Sequence, residues 1–271
     1  MSVLKSLALL LTLASAAATA TASDFFVDGL RGTDWPDYGR SASQPWKTIQ
    51  YAAQHLPVPM PTQSHTLFIA GGQTYGAATN GEAFPLPALY NIQYLGTGPR
   101  PIMDVPSGTV GMWFPGTVEF TGWTKVAHLE FRNGGLKLGA GNGVRFHRPV
   151  IDDCVFDRCG VLVETPLTQS VNAPVVQSCA FRGAGAGIFL HTREHGTDFS
   201  VDATVTDCVF EDIPGDAVRL RQSDPRGTTY LMVSLNECRF TRCFVGVELS
   251  MDVGTTGPTN RFGAQLRNCA F

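Results

Sequence analysis

Charge is scarce in this chain. Asp, Glu, Lys and Arg make up 16% of its 271 residues, and the formal balance is −3. A general nucleic-acid binder needs a basic face to neutralise phosphates, and this composition does not supply one. Long apolar runs are missing after residue 13, so no segment of the mature chain is suited to span a bilayer. Capped helical periodicity is missing from the second half. A Ser/His/Asp order and a phosphate-cradling glycine loop are missing throughout.

A five-fold phrase is present instead: an apolar residue, two polar residues, then Cys-x-Phe. It runs Ile151–Phe156, Val176–Phe181, Val205–Phe210, Leu235–Phe240 and Leu266–Phe271, with cysteine-to-cysteine steps of 25, 29, 30 and 31 residues. A repeat of that size marks stacked units, each too small to bury its own apolar face. A few residues after each Phe comes a period-two apolar pair: Val161/Val163, Ile188/Leu190, Val218/Leu220 and Val247/Leu249. A further short strand precedes each Cys, as in Thr204-Val205. Three short strands per unit describe one coil of a solenoid. The fold expected is all-β, a single-stranded right-handed parallel β-helix of about seven coils, its hand set by the rule for parallel crossovers.

The polar pair before each Cys suits a tight turn, since Asp, Asn and Ser tolerate left-handed backbone. Stacking at about 4.8 Å would turn the Cys and Phe columns into internal ladders, with Cys159, Ala184, Ile213 and Cys243 as a further inward column. His128-Leu129-Glu130-Phe131 fits the same phrase with Leu for Cys. Seven cysteines in an exported chain invite disulfides. Buried ladder thiols acting as small hydrophobes explain them better. Cys154/Cys159 and Cys238/Cys243 are the same-coil pairs with matching spacing. Cys159 and Cys243, three coils or about 14 Å apart, lie beyond disulfide reach.

Residues 1–23 read as a secretory signal, with Lys5, an apolar run Leu7–Leu13 and a small-residue tract. A secreted or periplasmic location is expected, and a monomer. Residues 24–75 read as an N-terminal cap and first coil, and 76–271 as coils. The last coil stops in mid-repeat at Phe271, which suggests truncation at the C-terminus. Thr48–His55 is the one good helix candidate and would close the open end of the solenoid.

The order Val27-Asp28-Gly29, Gly32-Thr33-Asp34, Pro45-Trp46-Lys47-Thr48-Ile49-Gln50-Tyr51-Ala52-Ala53 and Thr66-Leu67-Phe68-Ile69-Ala70-Gly71-Gly72 to Tyr75 resembles the opening module of secreted right-handed parallel β-helix proteins. Among these it is most similar to a pectate-lyase-like group. The resemblance implies a capping helix and a first coil, and with the repeats it covers nearly all the mature chain. It is poorly specific for activity. A short Pro-Gly-Asp turn usual in the family is replaced here by residues 56–65, which implies an elaborated cap.

The repeat register defines outward columns after Cys-x-Phe: Lys137, Leu162, Phe189, Arg219, Glu248, then Glu164, His191, Arg221, Ser250. Arg193, Asp224 and Asp252 follow at the mouths of long loops. In β-helix glycan enzymes this strand face and its loops form the substrate groove, so the resemblance implies the same here. The residue types suit an acidic polysaccharide: arginines for carboxylates, Phe189 for stacking on a sugar ring. For β-elimination the superfamily uses Lys or Arg as the base, which implies Arg221, with Arg219 second. Phe189, His191, Arg193, Glu248 and Lys137 would bind substrate. The bland reading is a solvated cationic face, and a non-catalytic surface scaffold or adhesin is the competing function.

A glycosidase needs two carboxylates about 5–10 Å apart. Glu164, Glu248, Asp224 and Asp252 lie on the appropriate side but on different coils, so hydrolysis is the weaker enzymatic reading. No cofactor is required, though calcium would take clustered oxygens. Asp212 and Asp216, near Asp207 and Glu211, are its candidates, and turn duty explains them as well. His191-Thr192-Arg193-Glu194-His195 matches H-x-x-E-H, but it starts on a strand, where the two histidines do not share a helix face.

Overall fold

The computed structural model describes residues 22–57, 63–114, 124–139, 148–165, 171–192, 199–222, 229–251 and 260–271. The leader therefore lies outside the described residues, apart from Ala22 and Ser23.

Three parallel sheets wrap a single core. Sheet 1 runs from Asp24–Val27 through His65–Ala70, Ile92–Thr97, Lys125–Ala127, Val150–Asp152, Val175–Gln177, Phe199–Thr206 and Thr229–Asn236 to Asn260–Arg267. Sheet 2 has seven strands: Thr74–Tyr75, Ile102–Asp104, Glu130–Arg132, Val155–Asp157, Ala180–Arg182, Val209–Glu211 and Arg239–Thr241. Sheet 3 also has seven: Leu86–Pro87, Met112–Phe114, Leu136–Gly139, Val161–Thr165, Ala186–Thr192, Asp216–Gln222 and Val245–Met251. Each coil gives one strand to each sheet in turn, so every rung pairs with its counterpart one repeat away. This is the parallel β-solenoid expected from the repeat.

The ladders form in the expected register. Phe131, Phe156, Phe181, Phe210, Phe240 and Phe271 stack face to face, with successive centroids 4.7–5.6 Å apart and ring planes within 9°. Cys154, Cys179, Cys208 and Cys238 are buried one above another. All seven cysteines are free thiols. Thiols of the ladder donate to backbone carbonyls, as Cys179 does to the oxygens of Ile151 and Gln177. Burial pushes the Cys159 thiol up to about 12 and raises Cys179 as well, so these groups pack as hydrophobes.

Two columns of turns sit in left-handed backbone. The first is His128, Asp153, Ser178, Asp207, Glu237 and Asn268, with φ between 48° and 57°. The second is Asn133, Arg158, Gly183, Asp212 and Arg242, with φ between 53° and 64°. The turn N–H groups from His128 to Glu237 and from Asn133 to Asp212 each donate to the next coil, as Asp153 does to Gln177 O. His128 is none of Asp, Asn or Ser, and its ring does the holding. Nδ1 lies 2.6 Å from Asp153 Oδ2 and Nε2 lies 3.0 Å from the Gly98 oxygen. Glycine before the third strand has a steric cause: a Cβ on Gly135 would lie 1.8 Å from the Gly160 oxygen.

The helix Ile49–His55 closes the N-terminal end, burying Ile49, Ala52 and Ala53. Thr48 caps it, its hydroxyl oxygen accepting from Tyr51 N–H at 3.1 Å. Asp34 accepts from the N–H groups of Lys47 and Thr48 and from the Thr48 hydroxyl. Glu82 accepts from Ile49 N–H at 2.7 Å and Gln50 N–H at 2.8 Å. No helix among the described residues is long and apolar enough to cross a membrane.

Candidate functional site

The outer face of sheet 3 carries the residues that the repeat pattern sends outward. Strand pairing aligns Trp113, Lys137, Leu162, Phe189, Arg219 and Glu248 in one column. Glu164, His191, Arg221 and Ser250 align in the next. At about 4.8 Å per coil the first column spans about 24 Å.

Its centre is a compact group. The Arg219 guanidinium carbon lies 5.3 Å from the centroid of the Phe189 ring, within cation–π range. The Phe189 and His191 rings stack with centroids 5.3 Å apart. Arg219 Nε lies 3.0 Å from Glu248 Oε2 and 3.7 Å from Asp216 Oδ2. Glu248 and Asp216 thus converge on one guanidinium. The neighbouring Asp216 carboxyl, with some burial, raises the Glu248 carboxyl above its ordinary value, while Arg219 and Arg221 pull it down.

The sequence pattern gives Asp216 to a turn or to calcium. Strict alternation from Val218 and Leu220 would send it into the core. Ala217 and Val218 are instead both buried, so alternation slips by one and Asp216 emerges beside Arg219. Trp113 was also missed, and with 39% exposure it is a large aromatic surface in line with Phe189. Its sequence signal was weak but present: it stands between buried Met112 and Phe114.

Lys137 and Glu164 form a pair of their own, Nζ to Oε2 2.9 Å, with Glu164 only 3% exposed. Glu164 holds its place in the register but is buried against Lys137, unlike a carboxylate open to a ligand. Arg193, Asp224 and Asp252 lie outside the described residues, as does most of the H-x-x-E-H segment. Asp212 occupies a turn, where Arg242 grips both its oxygens and holds its carboxyl below the usual range. It is thus turned toward Arg242, and Asp216 toward Arg219 and Glu248. Among the described residues no group of three or more His, Cys, Asp or Glu is placed to hold a metal ion.

A concavity of about 230 Å³ lies outside sheet 1, lined by Phe26, Phe68, Arg31, Pro45 and Thr97. Its carboxylate, Asp28, is already occupied by the N–H groups of Leu30 and Arg31, the Arg31 side chain and Gln73.

No family model matches the chain, and no curated protein matches it. Among solved structures, a rhamnogalacturonan lyase matches with a TM-score of 0.34 and 10% identity, covering 92% of this chain and 87% of that one. A likeness that distant assigns neither residue nor activity to this chain.

Proposed function

We propose that this protein is exported and binds an acidic polysaccharide along the outer face of sheet 3. The observation that carries the reading is the aligned column in which Trp113 and Phe189 offer stacking surfaces and Arg219, with Arg221 beside it, offers guanidinium groups. A glycan presents ring faces and carboxylates in repeated sequence, and this row meets both along one line. In its catalytic form the same reading is β-elimination, with Arg221, in its neutral form, taking the proton α to the uronate carboxylate. The electron pair forms a C=C bond as the glycosidic C–O bond breaks, and the departing sugar oxygen takes up a proton from solvent.

The internal pairs Lys137–Glu164 and Arg219–Glu248 favour a second reading, a non-catalytic scaffold whose face is charge-satisfied. The deciding experiment incubates purified protein with a panel of polyuronates, with and without calcium. Binding and the absorbance of an unsaturated product are both followed. Binding with product supports the lyase, binding alone supports the adhesive scaffold, and neither removes the glycan reading.

A further inference from the structure

Glu248 occupies the place on Arg219 that a ligand carboxylate would take. Its Oε2 lies 3.0 Å from Arg219 Nε, and the guanidinium is backed by the Phe189 ring. Arg219 is thus already ion-paired with a carboxylate from the next coil. Asp216 Oδ2 lies 3.7 Å from the same Nε, so two carboxylates share one cation. Deprived of that cation, two neighbouring carboxylates favour a proton on one of them. Glu248 is partly exposed and borne on the last strand of sheet 3.

We propose that Arg219 is a carboxylate subsite held closed by Glu248, and that a uronate enters by displacing Glu248, which takes up a proton on leaving. This rests on the glycan reading above and adds to it the residue that reads the acid group and the proton linked to binding. A displaced Glu248 loses its cation and keeps Asp216 beside it, so its protonated form is favoured in the complex. The complex then holds more protons than the free protein, and affinity rises as pH falls. The charged groups facing Glu248 are Asp216, Arg219 and Arg221 on the adjoining strand, with His191 opposite Arg221 one coil further.

The test measures binding of a fluorescently labelled oligouronate between about pH 8 and about pH 5, where the sugar carboxylate stays ionised. Calorimetry in two buffers of different ionisation enthalpy reads proton uptake directly. Wild type should tighten as pH falls, by no more than about tenfold per pH unit for one linked proton. Glu248→Gln should bind severalfold tighter at the upper end and lose most of the pH dependence. His191→Gln should keep that dependence. Three results would overturn the proposal: pH-invariant affinity in wild type, unchanged pH dependence in Glu248→Gln, or its loss in His191→Gln. Absence of oligouronate binding at every pH would remove the underlying glycan reading as well, so the two failures are separable.

Discussion

Sheets 2 and 3 are built by the same coils on the same core, yet their outer faces arrange charge differently. On sheet 2, register lines up Asp104, Arg132, Asp157, Arg182 and Glu211, alternating in sign from coil to coil. Arg182 and Glu211 neutralise each other across the ladder at 3.7 Å, while Arg132 pairs with Glu130 of its own strand and Asp157 with the adjoining Arg158. Such a face fixes register and leaves little for a ligand. On sheet 3 the corresponding column interleaves cations with Trp113, Leu162 and Phe189, and Glu248 stands at its end with Asp216 beside Arg219. A repeat therefore specifies its core strictly and its faces loosely, and function is written on the face where the charge does not simply alternate.

The largest effect should come from the scaffold that both faces share. Phe181 is fully buried between Phe156 and Phe210, with centroid distances of 4.8 and 4.9 Å. Phe181→Ala leaves a cavity in the middle of the ladder and should cost about 3–5 kcal/mol. Denaturant midpoints would measure it. Loss of that size, with both faces failing together, is the outcome expected of one continuous core; a small loss would mean that the coils melt independently.

Next comes the difference between the faces. Arg219→Ala and Arg221→Ala should each weaken polyuronate binding by about 1.5–3 kcal/mol, the worth of a charge-assisted bond. Arg182→Ala and Arg239→Ala on sheet 2 should leave it unchanged. Folding should be affected by no more than about 0.5 kcal/mol in the sheet 2 variants. Equal binding by all four would dissolve the functional distinction between the sheets and favour the scaffold reading.

The cap adds a pH term that must be separated from the faces. Burial of Glu82, largely but not wholly offset by the N–H groups of Ile49 and Gln50, raises its carboxyl to about 7. A raised carboxyl favours the folded protein in its protonated form. Its contribution is therefore complete below the ordinary Glu range and is lost as pH rises through about 7. Stability measured by denaturant should fall by on the order of 1–3 kcal/mol between about pH 5 and about pH 8. Glu82→Gln should flatten that slope, and an unchanged slope would place the titrating group elsewhere. Asp153 works in the opposite sense. Against the upward pull of burial, His128 and Arg100 hold its carboxyl low, so its stabilisation is lost only on acidification.

Most of the fold was legible because the same residue type returns at the same rung. Phe156, Phe181, Phe210 and Phe240 announce their stacking, and Asp153, Ser178 and Asp207 announce the left-handed turns between strands. The helix was legible from its Thr48 cap and from Ile49, Ala52 and Ala53 at helical spacing. The face was only half legible. Period-two alternation places Phe189, Arg219 and Glu248 correctly in one column, but the slip at Ala217-Val218 hides Asp216, because a bulge leaves no mark on composition. Glu164 obeys the alternation and is nonetheless buried, since alternation gives the side of the sheet and not what lies over it. Trp113 sits in an irregular early coil where no neighbouring repeat supplies a register.

The smallest predicted effect bears most directly on why the faces differ. Arg182→Glu on sheet 2 would set three acids side by side, at positions 157, 182 and 211, where register now alternates the charge. Like charges directly opposite on neighbouring strands cost about 0.2–1 kcal/mol, and exposed pairs of this kind are screened by salt. The stability loss should therefore appear at low ionic strength and fade as salt is raised to about 1 M, where the screening length falls to about 3 Å. Polyuronate binding should remain at the wild-type level throughout. A loss that persists in high salt would mean that Arg182 contributes by packing its alkyl stem rather than by its charge. The alternating column of sheet 2 would then owe its register to shape and not to electrostatic pairing.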